Sequence, residues 1–381
     1  MDRIWFVVQR YPTKDDPICA FIRPVVTAIA DMGVQCTVIS AQSLTHAYTN
    51  KEKIRPYHWV DTTDNGAAID VYQPKYLSFS NIRIKGRAVS DTLKFDAVRR
   101  AMHHIKEEPD LVYAHFWDMA ITAAFATDGK YPIIAVYGEE RIDVYDRYNQ
   151  RDVDKWLDRI KGVICVSTKN FNESREVGLL RCNPKTIILP NSIDKNRFHP
   201  MDKKAAREKL GISDDVTIAA FVGAFIERKG VLRVTEAAKE VPELRLFIIG
   251  KGPQNPDSDQ ILFKGLVPHE ELINYLCSAD FFVLPTLAEG CCNAIVEAMA
   301  CGLPVISADL PFNDDILDNS NSIRIDPMDI KALTEAMKEL TMDNEMRRSL
   351  STGAIRRANS LGIEERARKI YQFIDNTINQ E

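Results

Sequence analysis

Two glutamates eight residues apart, Glu289 and Glu297, have side chains suited to sugar recognition. Glu289 follows an apolar run that predicts a strand, and Glu297 lies about two turns into the helix predicted after Gly290. Carboxylates only accept hydrogen bonds, so they pair well with the hydroxyl groups of a sugar or a ribose. The start of the helix adds unpaired N–H groups and a positive dipole end, which favour a phosphate. The residues of this start are Cys292, Asn293 and Ala294.

The same segment also has a simpler interpretation. Two glutamates at this spacing occur in ordinary acidic helix starts, and Asn293 could then act as the N-cap. The spacing of the two acids by itself does not separate the two interpretations.

A second segment has adjacent cations in a turn that glycines flank. Arg228, Lys229 and Gly230 follow a predicted strand and Gly223. Glycine lets a backbone approach a diphosphate closely, and the cations would neutralise charge that develops on it. By itself the motif is weak evidence for a diphosphate site, because Arg-Lys pairs in turns are commonly just exposed to solvent.

A third turn, Gly250-Lys-Gly252-Pro, follows the next predicted strand. It is not a dinucleotide fingerprint, because Asn255 stands where the third glycine of Gly-x-Gly-x-x-Gly would be. No glycine-rich strand–turn–helix opens the chain either. These two departures argue against an oxidoreductase.

The elements around these turns alternate as in parallel βαβ units. The first series of predicted strands covers residues 4–8, 37–40, 68–73, 111–114, 133–137, 162–166 and 186–189, with helices at 22–32, 92–106, 153–161 and 170–177. The second series has strands at 217–222, 245–249, 261–264, 281–284, 304–307 and 322–325, with helices at 232–241, 270–279, 293–301 and 330–340. The pattern breaks at residues 190–194, which predicts a linker between two α/β domains. The last 35 or so residues predict helix. Ligands of such sheets bind beyond the carboxyl ends of the strands.

The full segment at residues 285–306 makes a resemblance specific. Glu289-x7-Glu297, followed by Ala-Met-Ala-Cys-Gly-x-Pro-Val-Ile, resembles the donor signature of the family-4 retaining glycosyltransferases. The resemblance implies the GT-B fold, in which two Rossmann-like doubly wound parallel-sheet domains face each other across a cleft. It implies an acceptor-binding domain at residues 1–192, a donor-binding domain at 193–361 and a C-terminal helix at 362–381 that returns to the first domain.

The resemblance also implies roles for the motif residues. Glu289 orients the transferred sugar and Glu297 the ribose, while the turn of Gly250 and Gly252 lies at the nucleoside end. The family's diphosphate loop matches at Lys229 and Gly230. It departs where an arginine is replaced by Ala224. Arg228 is the expected substitute for that arginine.

Candidates on the acceptor side are fewer. His115 and Glu139 each follow a predicted strand and are tentative catalytic residues. Many relatives have a His-Gly pair where this chain has Tyr137-Gly138, so that histidine role cannot be transferred. The loop at residues 10–17 could meet the acceptor. Asn191, in the linker, suits a turn at least as well as a ligand contact.

Composition limits the remaining classes of function. The chain has 381 residues, 45% hydrophobic and 27% charged, with a net charge of −5. We expect a cytoplasmic protein with reduced, mostly buried cysteines, no required cofactor or metal and no nucleic-acid partner. The stretch from Arg83 to Lys106, including Lys85, has seven cations and two anions. It predicts either a solvated helix face or peripheral contact with an anionic membrane.

The leading hypothesis is retaining transfer of a sugar from a nucleotide-diphosphate sugar, with UDP favoured, to a glycan or lipid-linked acceptor in cell-surface polysaccharide or glycolipid assembly. The alternative is a sugar-nucleotide epimerase of the same fold. A hinge-type binding protein is a third class, but it does not explain the loop that carries Glu289 and Glu297.

Overall fold

The computed structural model describes residues 1–13, 16, 18–79, 82–84 and 87–379. The chain divides into two compact units. The N-terminal unit comprises Met1–Leu189 and Glu364–Glu381, and the C-terminal unit comprises Pro190–Ile363. The acceptor-binding and donor-binding roles expected for the two halves of the chain stay predictions.

The N-terminal unit is built on an eight-stranded sheet. Its strands are β1 Arg3–Val7, β2 Gln35–Ile39, β4 His58–Thr62, β5 Ala68–Tyr72, β9 Leu111–His115, β10 Ile133–Tyr137, β11 Ile160–Cys165 and β12 Lys185–Ile188. Their order is β12-β11-β10-β9-β1-β2-β5-β4, and all neighbours are parallel except the antiparallel edge strand β4. Two small two-stranded sheets add β3 Gln42–Ser43, β6 Lys75–Tyr76, β7 Arg83–Ile84 and β8 Arg87–Ala88.

Helices cover this sheet, as parallel strands require. They are α1 Ile22–Ala30, α2 Leu44–Thr49, α3 Val89–His104, α4 Trp117–Thr127, α5 Val144–Arg147, α6 Gln150–Asp154 and α7 Thr168–Glu176, with a 3₁₀ turn at Leu157–Arg159. The core lies between the sheet and helices α3 and α4, where Phe95 stacks on Phe125 at 4.7 Å.

The C-terminal unit is a six-stranded parallel sheet. Its strands are β13 Thr217–Val222, β14 Leu244–Ile249, β15 Ile261–Gly265, β16 Phe281–Leu284, β17 Val305–Ala308 and β18 Ser322–Ile325. The order β15-β14-β13-β16-β17-β18 is that of a doubly wound dinucleotide-binding sheet, and it reverses between β13 and β16. Its helices are α8 Lys203–Leu210, α9 Val231–Ala238, α10 Leu272–Ser278, α11 Asn293–Ala300, α12 Ile330–Met342 and α13 Asn344–Asn359, with 3₁₀ turns at Glu227–Lys229 and Pro311–Asn313.

The C-terminal helices agree with the sequence-based expectation. Helix α13 and the last helix, α14 Ile363–Ile378, follow β18 without another strand in the described residues.

All eight cysteines are free, and six of them are buried.

The structure contains several short elements that the sequence-based prediction lacked, among them helices α2, α5 and α8. Three further differences have a clear physical reason. The helix predicted at residues 153–161 is wrong, because Ile160 pairs with Ile133 and this pairing draws the chain into β11. Helix α4 was not predicted, since ten of its eleven residues are buried and no apolar–polar period remains. The edge strand β4 was also missed, although its exposure alternates along the strand.

Candidate functional site

Glu289 lies at the centre of a small polar cluster in the C-terminal unit. Its carboxylate accepts hydrogen bonds from the Thr286 hydroxyl at 2.9 Å and from the Arg228 guanidinium at 3.3 Å. The Lys229 ammonium donates a short hydrogen bond to the same oxygen. The structure therefore brings together three of the residues predicted to bind the donor, Glu289, Lys229 and Arg228. Thr286 is a fourth member that sequence reasoning missed.

Backbone contacts hold the two turns of this cluster together. The Leu287 amide donates to the Arg228 carbonyl at 2.8 Å, and the Arg228 side chain donates to the Ala288 carbonyl at 2.6 Å. The two turns follow β13 and β16, the neighbouring strands between which the strand order reverses. Doubly wound sheets bind their ligands at such a switch point, so the cluster occupies the expected place for a ligand.

Lys229 keeps its charge although it is largely buried. Burial acts to lower the pKa of Lys229, but the charges of Cys292, which is a thiolate only at alkaline pH, and of Glu289 outweigh burial and raise the pKa above its ordinary value. Burial also raises the pKa of the Cys292 thiol, to about 11, so that the thiol stays protonated at neutral pH. The cluster thus combines two cations, Arg228 and Lys229, with one carboxylate.

The helix after Gly290 begins close to this cluster. Cys292 is the N-cap of α11, and its side chain makes no capping hydrogen bond. Asn293 is therefore the first helical residue and not the cap. Its side chain instead accepts a hydrogen bond from the Asn191 amide at 2.8 Å, and the same amide donates to the Cys291 carbonyl at 3.0 Å. The linker residue Asn191 thus positions the start of α11, on which Ala294 also lies.

The glycines at the strand ends permit close backbone approach. Gly250 has φ +144°, and a Cβ there would lie 1.9 Å from the Gly223 carbonyl oxygen. A Cβ on Gly252 would lie 2.4 Å from the Phe225 carbonyl oxygen. The turns after β13 and β14 can pack this closely only because these positions lack side chains.

Glu297 lies within α11 and has a partner that the motif did not reveal. The His269 ring nitrogen Nε2 is 3.0 Å from the Glu297 carboxylate, and the ring packs on Phe198 at 5.3 Å. His269 follows β15, so its place beyond a strand's carboxyl end was the available signal in the sequence.

The two acceptor-side candidates lie in the N-terminal unit. His115 is the last residue of β9 and packs against Phe116 and Phe21, with ring centroids at 4.7 and 5.2 Å. Burial, helped by Arg366, lowers the pKa of His115 to about 3, so the ring is neutral near pH 7. Burial and then Asp118 raise the pKa of Glu139 to about 8, which suits a group that exchanges protons near neutral pH.

Contacts within the protein engage much of the basic stretch. Arg83 donates to the Asp146 carbonyl, Arg87 pairs with Asp152, and Lys94 is buried. Arg100 and Lys106 are exposed. The stretch is thus not one solvated helix face. Lys85 lies outside the described residues, as do Lys14, Asp15 and Pro17 of the loop at residues 10–17.

Two further observations concern metals and membranes. The described residues contain no group of three or more His, Cys, Asp or Glu side chains that could hold a metal ion. Within the same part of the chain, no helix is both long and apolar enough to cross a bilayer.

Comparison with known proteins agrees with this geometry. Residues 202–357 match the family described as glycosyl transferases group 1. The chain is 26% identical over 88% of its length to TuaC of Bacillus subtilis, a glycosyltransferase named for teichuronic acid biosynthesis, and covers 88% of it. It is 27% identical over 72% of its length to the Escherichia coli UDP-Gal:alpha-D-GlcNAc-diphosphoundecaprenol alpha-1,3-galactosyltransferase, covering 78% of that protein.

A solved structure shows the same fold. The Anabaena protein HepE, in complex with UDP and glucose, aligns with 99% of this chain and all of its own, with a TM-score of 0.69 and 14% identity. The match at residues 202–357 and the two glycosyltransferase relatives identify the activity, and the two parallel-sheet units identify the fold. This chain is therefore an enzyme, a glycosyltransferase with the GT-B fold, in which residues 202–357 match the group 1 glycosyl transferases.

Proposed function

We propose that this glycosyltransferase moves a sugar from a nucleoside diphosphate sugar to a glycan or lipid-linked acceptor with retention of anomeric configuration. The observation that carries the proposal is the cluster at the β13–β16 switch point. There Lys229 and Arg228 both contact Glu289, which lies four residues before Asn293, the first residue of α11. Cations, a carboxylate and a helix start are the groups that a sugar diphosphate needs.

The proposed chemistry places charge where the cluster can stabilise it. Departure of the nucleoside diphosphate leaves an oxocarbenium-like sugar and negative charge on the leaving oxygen. Lys229, Arg228 and the amides at the start of α11 stabilise that negative charge. The acceptor hydroxyl attacks the face that the diphosphate leaves, and the diphosphate takes the proton. No required metal is expected for these steps.

The carboxylates orient the donor in this proposal. Glu289 accepts hydrogen bonds from hydroxyl groups of the transferred sugar, and Glu297 from those of the ribose. His269 holds the Glu297 carboxylate in place before the donor binds. The turn of Gly250 and Gly252 admits the nucleoside end, because no side chain obstructs the backbone there.

UDP is the proposed nucleotide, and cell-surface polysaccharide or glycolipid assembly the proposed process. The relative from E. coli is named for UDP-Gal and for a diphosphoundecaprenol acceptor, and TuaC for teichuronic acid. We assign acceptor binding to residues 1–192, with the helix at 362–381, and donor binding to residues 193–361. A cytoplasmic enzyme with peripheral contact to an anionic membrane suits a lipid-linked acceptor, and exposed Arg100 and Lys106 would favour that contact.

A thermal-shift screen of nucleotides and nucleotide sugars tests the donor, because a ligand that binds only the folded state raises its apparent stability. We expect UDP and a UDP-sugar to stabilise the protein and GDP to do so less. With the donor identified, NMR of the anomeric proton in the product checks retention. An inverted product would contradict the proposed mechanism. Conversion of the sugar nucleotide without any acceptor would favour the epimerase alternative.

A further inference from the structure

A second polar site lies in the N-terminal unit, whereas the residues assigned to the donor belong to the C-terminal unit. It is a cavity of about 70 Å³ beyond the carboxyl ends of β1 and β2, lined among others by Gln9, Tyr76, Lys94, Asp118 and Arg147. A water needs roughly 10–15 Å³ of such space, so the cavity has room for more than one water or for part of a ligand. The strand order of this sheet changes direction between β1 and β9, which makes this end of β1 a ligand-binding position.

Lys94 enters this cavity with hydrogen-bonding capacity to spare. It is buried on α3, with 6% of its surface exposed. Within the described residues its ammonium makes one hydrogen bond, a long one of 3.4 Å to the Tyr148 hydroxyl. The carboxylates of Asp91 and Asp118 lie 3.6 and 3.8 Å away, beyond hydrogen-bond distance. An ammonium has three N–H donors, so a buried lysine with one long hydrogen bond is undersatisfied.

In the part of the chain that the structure describes, Lys94 lacks further hydrogen-bond acceptors, whereas one oxygen of the neighbouring Asp118 lacks a hydrogen-bond donor. It lies in the first turn of α4 and is 4% exposed. One carboxylate oxygen accepts from Arg147 at 3.2 Å, whereas the other has no hydrogen-bond partner among the described residues. Leaving a buried charged oxygen without a partner is costly. The residue that begins this turn, Phe116, has φ +85° and ψ 153°, a conformation that is essentially restricted to glycine.

The charges around the cavity define the kind of ligand it can take. The two cations that line the cavity are both paired with carboxylates, Lys94 with Asp91 and Asp118, and Arg147 with Asp118 and Asp143. An anion would face the unpartnered Asp118 oxygen, and a cation would face the Lys94 ammonium. A hydroxyl group satisfies both residues, because it accepts from an ammonium and donates to a carboxylate.

We propose that this cavity binds a hydroxyl group of a neutral polyol, a sugar or cyclitol unit of the acceptor, with Lys94 donating to it and Asp118 accepting from it. The inference rests on the proposed function, because it supplies an acceptor subsite for that transfer. It assigns to Lys94 and Asp118 a role in acceptor binding and none in donor binding.

Crystals soaked separately with myo-inositol, methyl α-D-glucoside and inorganic phosphate test the proposal directly. We expect a polyol hydroxyl within hydrogen-bond distance of both Lys94 Nζ and an Asp118 oxygen. Saturation-transfer NMR with the same polyols checks binding in solution. Water alone in the cavity, or phosphate in preference to a polyol, would overturn the proposal.

Two variants separate ligand binding from structure. Asp118→Asn keeps the size of the side chain and should weaken polyol binding about tenfold, the loss expected for one hydrogen bond to a charged group. Lys94→Met should have a similar effect. If Lys94→Met fails to fold, the wild-type crystals and Asp118→Asn still decide the question. Asp158→Asn is the matched control, since Asp158 is an exposed acid of the same unit outside the cavity.

The thermal shift with UDP distinguishes failure of the acceptor subsite from failure of the proposed function. It should be the same in the wild type and in all three variants, because the donor residues lie in the C-terminal unit. If UDP stabilises the wild type, but Asp118→Asn binds the polyols as tightly as the wild type does, the acceptor subsite alone is refuted. A wild type that responds to no nucleotide would refute the proposed function.

Discussion

Lys229 and Glu289 form an ion pair between the turn that follows β13 and the turn that follows β16. The two strands are neighbours in the sheet, and the strand order reverses between them. Residues sixty positions apart in the sequence are thus paired at the point where a doubly wound sheet binds its ligand. In the free protein the Glu289 carboxylate is paired with Lys229, the cation that we expect to contact the donor diphosphate. Donor binding must therefore change these contacts.

Lys229→Met should weaken binding of UDP and of inorganic pyrophosphate to a similar extent. The lost contact is a charge-assisted hydrogen bond to the diphosphate, so we expect a decrease of about tenfold to a hundredfold. Isothermal titration calorimetry with both ligands measures it. Lys239→Met is the control, because Lys239 is exposed and pairs only locally with Glu236. Wild-type affinity for both ligands would remove Lys229 from the diphosphate site.

Glu289→Gln should lower turnover by about a hundredfold or more, because the transferred sugar loses the group that orients it. Its affinity for UDP should stay the same or become a few-fold tighter, since the carboxylate no longer competes for Lys229 and Arg228. Steady-state kinetics and calorimetry on one preparation check the two effects. Near-normal turnover, or UDP binding weakened as strongly as in Lys229→Met, would contradict the assigned role.

Glu297→Ala should weaken binding of UDP but leave that of inorganic pyrophosphate unchanged, because its proposed contact is with the ribose. A loss of about tenfold corresponds to one hydrogen bond to a charged acceptor. The contrast with Lys229→Met, measured with the same two ligands, separates the ribose contact from the diphosphate contact. Equal losses for UDP and pyrophosphate would show that Glu297 acts on the whole site.

Gly250→Ala should destabilise the C-terminal unit and weaken UDP binding. The new Cβ would collide with the Gly223 carbonyl oxygen, and the alanine would also have to adopt φ +144°. We expect the free energy of unfolding to fall by more than about 1–3 kcal/mol, which is the usual cost of such backbone strain alone. Gly211→Ala is the control, with φ +69° and no atom within 4 Å of the added Cβ. Urea unfolding of both variants measures the difference, and equal losses would contradict the predicted collision.

Glu139 should make stability depend on pH. Its pKa rises from an ordinary 4.5 to about 8, chiefly through burial and the Asp118 charge. Between these values the folded protein holds a proton that the unfolded chain has lost, so this contribution destabilises the fold progressively as pH rises from 4.5 to 8. Glu139→Gln removes the effect and should stabilise the protein more at about pH 9 than at about pH 5.

The control for this titration is Glu140→Gln, since Glu140 is the exposed neighbour of Glu139. Urea midpoints of the wild type and both variants at the two pH values provide the measurement. If Glu139→Gln shifts the midpoint equally at both pH values, the Glu139 carboxyl is not the titrating group.

Local patterns in the sequence were sufficient for the fold class and for most members of the cluster around Glu289. Runs of apolar residues predicted the strands of the two large sheets, except the edge strand β4, to within about two residues, because parallel strands are covered on both faces and read as continuous apolar runs. The predicted turns that contain Lys229 and Glu289 follow two such strands. Helix α4 was missed for a related reason, since its nearly complete burial removes the period that marks a helix.

Tertiary structure decided which of these parts meet. Strand order cannot be read from the order of strands in the chain, and it alone places β13 beside β16 and hence Lys229 beside Glu289. The contact of His269 with Glu297 and that of Lys94 with Asp118 join residues that share no local motif. The pKa values of His115 and Glu139 also depend on packing, because burial and neighbouring charges set them. A chain-local pattern carries no information on distances between distant segments, and those distances determine the chemistry of the site.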